Sequence, residues 1–403
     1  MKKILSLVLA IAMLLTMVSF ASAEDVVLTF AFWDTNQEPG MKAVAQAFMD
    51  KNPGVKIETQ VTPWGEYWTK LEASAMGGAM PDVFWMHSNE FYKYADAEAL
   101  LDLTDLNYDY TPYPAGVTAL YTFNDAHLAV PKDYDTIALA YNKEIFDAAG
   151  VAYPDDTWDW AKLKEVATQL TDAEKGIWGF GAPNDEQSGF LNMIYQNEGF
   201  AYDGTACGYN TEATKEAMKF WVSFQEDGVS PSQAQFAEIG NDDRFMAGQL
   251  AMVFVGSWNM SAYTNSPVAG KFDLCVLPKG KTRASIYNGL GYAGAATTKY
   301  PEVVKSFIAF CGTEEANILQ AQNKAAIPAY AGTEHYFSDL FTDINIKCYP
   351  EMIEYGVQYP FSPNKSLWKG TVDDLMGEIY AGTKTVDEAF DAAYAAICEA
   401  EGL

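Results

Sequence analysis

Apolar and polar positions alternate along this chain in two rhythms, and the rhythms come in turn. An apolar run, Val26 to Phe32, reads as a strand and ends at Trp33-Asp34. Met41, Val44, Ala45 and Phe48 then recur on one face of a helix, which Asn52-Pro53-Gly54 stops. Val55, Ile57, Thr59 and Val61 alternate, as in a half-buried strand. A helix from about Glu66 to Met76, broken by Gly77-Gly78, leads through Pro81-Asp82 into the strand Val83 to Met86. Strand, helix, strand, helix, strand predicts an α/β architecture with a mainly parallel sheet.

The same grammar returns later. Lys132-Asp133-Tyr134-Asp135 looks like an exposed cluster and runs straight into an apolar strand, Thr136 to Tyr141. Thr157 or Asp159 is placed to cap a helix reaching Leu170, and Asn241-Asp242 to cap a short one ending at Gly248. Leu250 to Val255 is a continuous apolar strand closed by Gly256-Ser257-Trp258. Helices are predicted over Glu302–Cys311, Glu314–Asn323 and Thr385–Glu399. No fixed-period repeat and no Gly-, Ser- or Pro-rich linker interrupts the chain, so two lobes would be joined by more than one crossing.

The ends and the charge narrow the setting. Lys2 and Lys3, an apolar run to Phe20 and Ala21-Ser22-Ala23 have the form of a signal peptide over residues 1–23, cleaved after Ala23. The expected location is extracytoplasmic, periplasmic or secreted. No cysteine stands near the cleavage site for lipid attachment. The formal charge is −28, and such a surface repels nucleic acid and anionic membrane. Arg244 and Arg283 are the only arginines, which argues against a polyanionic ligand. The five cysteines, Cys207, Cys275, Cys311, Cys348 and Cys398, lack metal or redox spacing. They read as buried thiols or as one disulfide with three thiols to spare.

Three strands share one kind of ending: "LTFAFWD", "DVFWMHSNE" and "LAMVFVGSW". In open α/β sheets the ligand crevice lies beyond the carboxyl ends of the strands. Each ending offers an indole beside a short hydrogen-bonding side chain. A pyranose needs that pair, since its C–H face packs on the ring and its hydroxyls donate to Asp or Asn. Catalytic motifs fail by contrast. There is no G-x-S-x-G and no H-E-x-x-H, and His87, His127 and His335 lack ligand spacing. Gly289-x-Gly291-x-x-Gly294 has dinucleotide spacing, but the residues after it read as strand and turn. No cofactor and no metal is expected. Asp34, Asp82, Glu90 and Asp135 supply carboxylates that a glycosidase could use, though no spacing separates an acid from a nucleophile.

Taken in order, "AFMDKNPGVKIETQVTPWGEYWTKLEASAMGGAMPDVFWM", "PKDYDTIALAYNKEIFDAAG", "RFMAGQLAMVFVGSWNM", "LPKGKTRASIYNGLGYA" and "TVDEAF" resemble family 1 of the extracellular solute-binding proteins, the sugar-binding subunits of ABC importers. The resemblance implies a two-lobed periplasmic-binding-protein fold (type II), with parallel-rich sheets, a hinge of crossing segments and an interlobe cleft. Residues 24–134 with 290–327 would form the first lobe, and 135–289 with 328–403 the second. It implies a monomer that takes a carbohydrate and hands it to the permease subunits of the transporter.

The site residues also come from the resemblance. Asp135 stands where maltose-binding relatives carry a sugar-binding acid, with a hinge or capping role as the rival reading. Tyr134 would line the same wall. Trp85, Trp258 and, to within one residue, Trp368 align with stacking indoles, and Asp34 with a sugar-contacting acid. Relatives of the maltose type place Asp-Arg after the first indole. Ser88-Asn89 stands there, which speaks against maltodextrin. Trp64, Asn288 and Gly289 would line the cleft or serve structure alone. Closure would bring Asp34, Trp85 and Asn89 against Asp135 and Trp258. A secreted carbohydrate-active enzyme and a polyamine receptor of the same fold are the competing functions.

Overall fold

The computed structural model describes residues 26–362 and 364–403. The expected signal peptide over residues 1–23 lies outside the described residues. Among the described residues no helix is long and apolar enough to cross a membrane.

The chain up to residue 142 runs β1 (Val26–Phe32), α1 (Glu38–Lys51), β2 (Val55–Val61), α2 (Trp64–Gly77), β3 (Val83–His87) and α3 (Ser88–Asp96), then β4 (Ala129–Asp135) and β5 (Ile137–Asn142). After α4 (Trp160–Leu170) and α5 (Glu212–Glu226) come β6 (Met252–Gly256), β7 (Phe272–Cys275) and the long β8 (Ser285–Gly294). The chain ends with α6 (Pro301–Cys311), α7 (Glu314–Gln322), β9 (Gly356–Gln358), α8 (Lys365–Tyr380) and α9 (Val386–Glu401). Short turns of helix are left unnumbered.

Among the described residues two main sheets form, beside a two-stranded hairpin of Thr122–Phe123 with Ala126–His127. The larger has the order β9-β8-β3-β1-β2, with β4 also paired to β8. β1 runs parallel to β2 and β3, and β9 parallel to β8, whereas β8 is antiparallel to β3 and β4. The smaller sheet, β6-β5-β7, is antiparallel throughout. The sheets are therefore mixed, with the predicted parallel character concentrated in β2-β1-β3. Phe30, Phe32, Trp85 and Tyr292 pack the first lobe against Phe48 and Phe307 of α1 and α6. Phe180, Trp221, Phe224 and Phe254 do the same in the second lobe.

Local signals mostly predicted the right boundaries. Asp159 caps α4 through Lys162 N, and Thr385 with Glu388 forms a capping box on α9. Gly78 closes α2 with a φ of 65°, which glycine adopts without strain. The helix at 241–246 differs from expectation. Asn241 is already helical, Gly240 is the flanking residue, and no side chain caps the turn. Asp82 is a sheet brace: its carboxylate accepts from Thr29 N and Oγ1 and from Thr298 Oγ1. Gly289 to Gly294 lie within β8, so the glycine pattern is strand. All five cysteines are unpaired; four are buried and Cys398 is half-buried.

The chain passes between the sheets where β4 becomes β5. There Ser285 Oγ accepts from Ile137 N at 2.8 Å and donates to Ile137 O at 3.0 Å. A further segment touches β4, with Ala329 N donating to Lys132 O at 3.1 Å. The cluster Lys132 to Asp135 is not exposed. All four residues are buried, because β4 lies between β8 and the segment around Pro328.

Candidate functional site

A cleft of about 480 Å³ opens between the lobes beyond the carboxyl ends of β1 and β3. Its first wall is built by the residues that follow those strands. Trp33, Asp34 and Gln37 come from the turn after β1, Trp64 from the start of α2, and His87 and Asn89 from the β3–α3 junction. The rings form an edge-to-face cluster: Trp33 to Trp64 at 5.0 Å and 79°, and Trp64 to His87 at 5.3 Å and 80°. Trp64 remains 46% exposed, so its indole is a free apolar plate at the lip. Asp34 accepts from Asn36 N at 2.8 Å and from Gln37 Nε2 at 3.0 Å, which fixes its carboxylate in the turn.

The floor is the crossing strands. Side chains on a strand alternate in direction, so Asp133 and Asp135 reach the cleft and Tyr134 does not. Asn288 faces Asp135 in register. Its Oδ1 accepts from Ser88 Oγ and from Gly289 N, and its Nδ2 donates to Asn89 Oδ1 at 3.1 Å and Gln187 Oε1 at 3.2 Å. One amide thus ties α3, β8 and the second lobe together.

The second wall comes from three separated segments. Asn184 to Ser188 supply five consecutive polar groups, Trp258 stands at the end of β6, and Lys369, Asp373 and Met376 share one face of α8. A Cβ at Gly256 would sit 1.8 Å from the Trp258 ring. Glycine there lets the indole lie across the backbone. Lys369 holds Asp373 at 2.7 Å and 2.8 Å, and Lys365 lies 3.5 Å from Glu186. These acids are neutralised locally.

Electrostatics divide the floor. Burial, and next to it the neighbouring Asp133 carboxylate, push Asp135 up to about 8, against which Ser257 Oγ donates to its Oδ1. Near neutral pH Asp135 is therefore largely a carboxylic acid that can donate as well as accept. Burial, reinforced by Lys365, lowers His87 to about 3, so its ring is neutral at physiological pH.

Of the expected site residues, Asp34, Trp64, Asn89, Asp135, Trp258, Asn288 and Gly289 line the cleft. Trp85, Ser88, Tyr134 and Trp368 do not. Trp85 is on the same face of β3 as His87 but two residues deeper, and it is 0% exposed. Ser88 is buried beneath Asn288. Trp368 turns into the C-terminal helix and donates to Glu401 Oε1 at 2.7 Å, leaving its neighbour Lys369 on the cleft. Trp33, the indole that closes "LTFAFWD", also lines the cleft, whereas Gln37 and Asn184 to Ser188 went unrecognised in the sequence. Among the described residues no group of three or more His, Cys, Asp or Glu is arranged to hold a metal ion.

The family model for bacterial extracellular solute-binding protein matches residues 34–318. The galactooligosaccharide-binding protein of Bacillus subtilis is 23% identical over 311 residues, 73% of this chain and 71% of that protein. Among solved structures, an ABC substrate-binding protein from Listeria monocytogenes in complex with cycloalternan superposes with a TM-score of 0.87 at 23% identity, covering 94% of this chain and 100% of that one. The GacH receptor of Streptomyces glaucescens, solved unliganded and with acarbose, gives 0.83 at 20% identity, covering 94% and 99%.

Proposed function

Because this chain belongs to the bacterial extracellular solute-binding proteins, we propose that it is the receptor subunit of an ABC importer for a neutral sugar or short oligosaccharide. It works as a monomer outside the cytoplasm, after removal of residues 1–23, and delivers the sugar unchanged to a membrane permease. The observation that carries this reading is the cleft's make-up. Indoles of Trp33, Trp64 and Trp258 stand around Asp34, Asp135, Asn89, Asn184 and Asn288, a set that matches a ligand with C–H faces and many hydroxyls. The carbohydrate ligands of the relatives above support the same class.

The lobes are residues 24–134 with 290–327 and 135–289 with 328–403, hinged at the β4–β5 junction, along β8 and near 327–330. A sugar touching both walls binds the closed state better than the open one, and that difference drives closure. The permease reads the closed form. A thermal-shift screen across neutral mono- and oligosaccharides tests the reading, since a ligand bound only by the folded form raises the melting temperature. No shift with any of them overturns it. Product analysis after long incubation separates receptor from enzyme, because a receptor returns the sugar intact.

Trp258→Ala is expected to weaken binding of the cognate sugar by at least about 1 kcal/mol, or about fivefold, through lost stacking. Calorimetry shows this directly, and an unchanged Kd removes Trp258 from the site.

A further inference from the structure

Beneath the first wall lies a lysine that the receptor reading leaves unused. Lys132 is 0% exposed. The pairing of β4 with β8 slips here: Asp133 faces Leu290 and Pro131 faces Gly291, so Lys132 is the extra residue of a bulge. A bulge re-aims a side chain out of the strand's alternation, and Lys132 consequently points to the same side as Asp133. All three ammonium hydrogens find partners. Nζ donates to Gln37 Oε1 at 2.8 Å, pairs with Asp133 Oδ2, and lies 4.4 Å from the centre of the Trp85 ring. Gln37 is itself buried and passes the contact on, its Nε2 donating to Asp34 Oδ2 at 3.0 Å. Asp133 Oδ1 accepts from Leu290 N at 3.1 Å. The lysine backbone is fixed too, since its carbonyl accepts from Gln320 Nε2 at 2.8 Å and Ala329 N at 3.1 Å.

We infer that Lys132 is a positioning residue: a buried cation that holds two cleft carboxylates in their binding pose, Asp133 directly and Asp34 through the Gln37 amide. This rests on the receptor reading for its consequence but not for its electrostatics. A charge this deep persists only when paired and hydrogen-bonded, and the groups it pairs with are cleft acids. Trp85 then has a role other than sugar stacking, as the aromatic face that roofs the ammonium. The groups facing Asp133 are Lys132 and Asp135 on its own strand, Asp34 after β1, and the hydroxyls of Tyr121 and Tyr292. Both tyrosines are held far above their ordinary range by burial, so they stay neutral. Burial pushes Asp133 up and Lys132 pulls it back. Removing the cation leaves an acid that gains from protonation.

The test has a sugar-free arm and a sugar arm. Without sugar, Lys132→Met should melt several degrees lower than wild type at pH 8, with a smaller deficit at pH 5, and adding Asp133→Asn should recover the loss at pH 8. A deficit equal at both pH values, or no recovery in the double variant, means that Lys132 only fills space and overturns the inference. If Lys132→Met does not fold, the double variant decides: folding supports the pair, and failure overturns it. In the sugar arm, Gln37→Leu cuts Asp34 from the network; it keeps the Lys132–Asp133 pair but removes one acceptor from the ammonium, which melting curves at pH 8 control for. It should weaken binding of whichever of maltotriose, mannotriose or galactobiose stabilises wild type by about tenfold. An unchanged Kd overturns the Asp34 link. If none of the three, and no sugar of the wider screen, binds wild type, the receptor reading falls while the pH arm still decides the role of Lys132.

Discussion

Asp34→Ala should weaken sugar binding by about 100-fold, the largest loss expected from any single cleft side chain. The carboxylate is half-buried and pre-set: one oxygen takes Asn36 N and the other takes Gln37 Nε2. Each oxygen keeps a lone pair for the cleft, which Asp34 lines. Hydrogen bonds from hydroxyls to a charged acceptor are worth about 1.5–3 kcal/mol each. Pre-organisation means that little ordering cost is set against them on binding. Two such bonds, discounted for the water that replaces the side chain, leave roughly 3 kcal/mol, or about 100-fold. Asp34→Asn keeps one acceptor and the shape, so its loss should be intermediate. Isothermal calorimetry on both variants measures this, with melting curves as the control for folding. Wild-type affinity in Asp34→Ala would show that the sugar does not reach this turn.

The sequence shows which strands end at the cleft but not how deep each side chain sits there. Three strand-end indoles were legible because strand ends and crevices coincide in α/β folds. Yet Trp85 and His87 share one face of β3, and two residues along a strand span nearly 7 Å. That distance separates a cleft ring from a buried one. Tyr134 fell out by the same alternation that brought in Asp133 and Asp135. Trp368 missed by one residue on a helix, where a single step turns a side chain about 100° away. The polar run Asn184 to Ser188 had no signal to offer: Asn, Asp, Gln and Ser in succession read as a surface turn. Only the packing of the second lobe places that turn on the cleft. Lys132 is the clearest limit. A lysine beside two aspartates reads as solvated, and nothing local announces the bulge that buries it.

Asp135 governs the second large effect, and its sign follows from the direction of its shift. An aspartate ionises near 3.8 in the unfolded chain and near 8 here, raised first by burial and then by Asp133. Between those values the folded state binds the extra proton, so stability falls as pH rises through this window and levels off above it. Asp133 is shifted in the same direction and adds to the slope. The melting temperature should therefore drop by several degrees between pH 5 and pH 8.5. Asp135→Asn, which keeps the shape and the Ser257 contact without the charge, should flatten much of that slope and raise the melting temperature at pH 8.5. Closure extends the effect to the ligand. Shutting the lobes removes water from the floor, which disfavours the carboxylate further. Sugar binding should therefore take up protons near pH 8, seen as a buffer-dependent enthalpy in calorimetry, and affinity should be lower at pH 9 than at pH 6. In Asp135→Asn the uptake should vanish. Proton uptake that persists in that variant would assign the titration to another group, with Asp133 next in line.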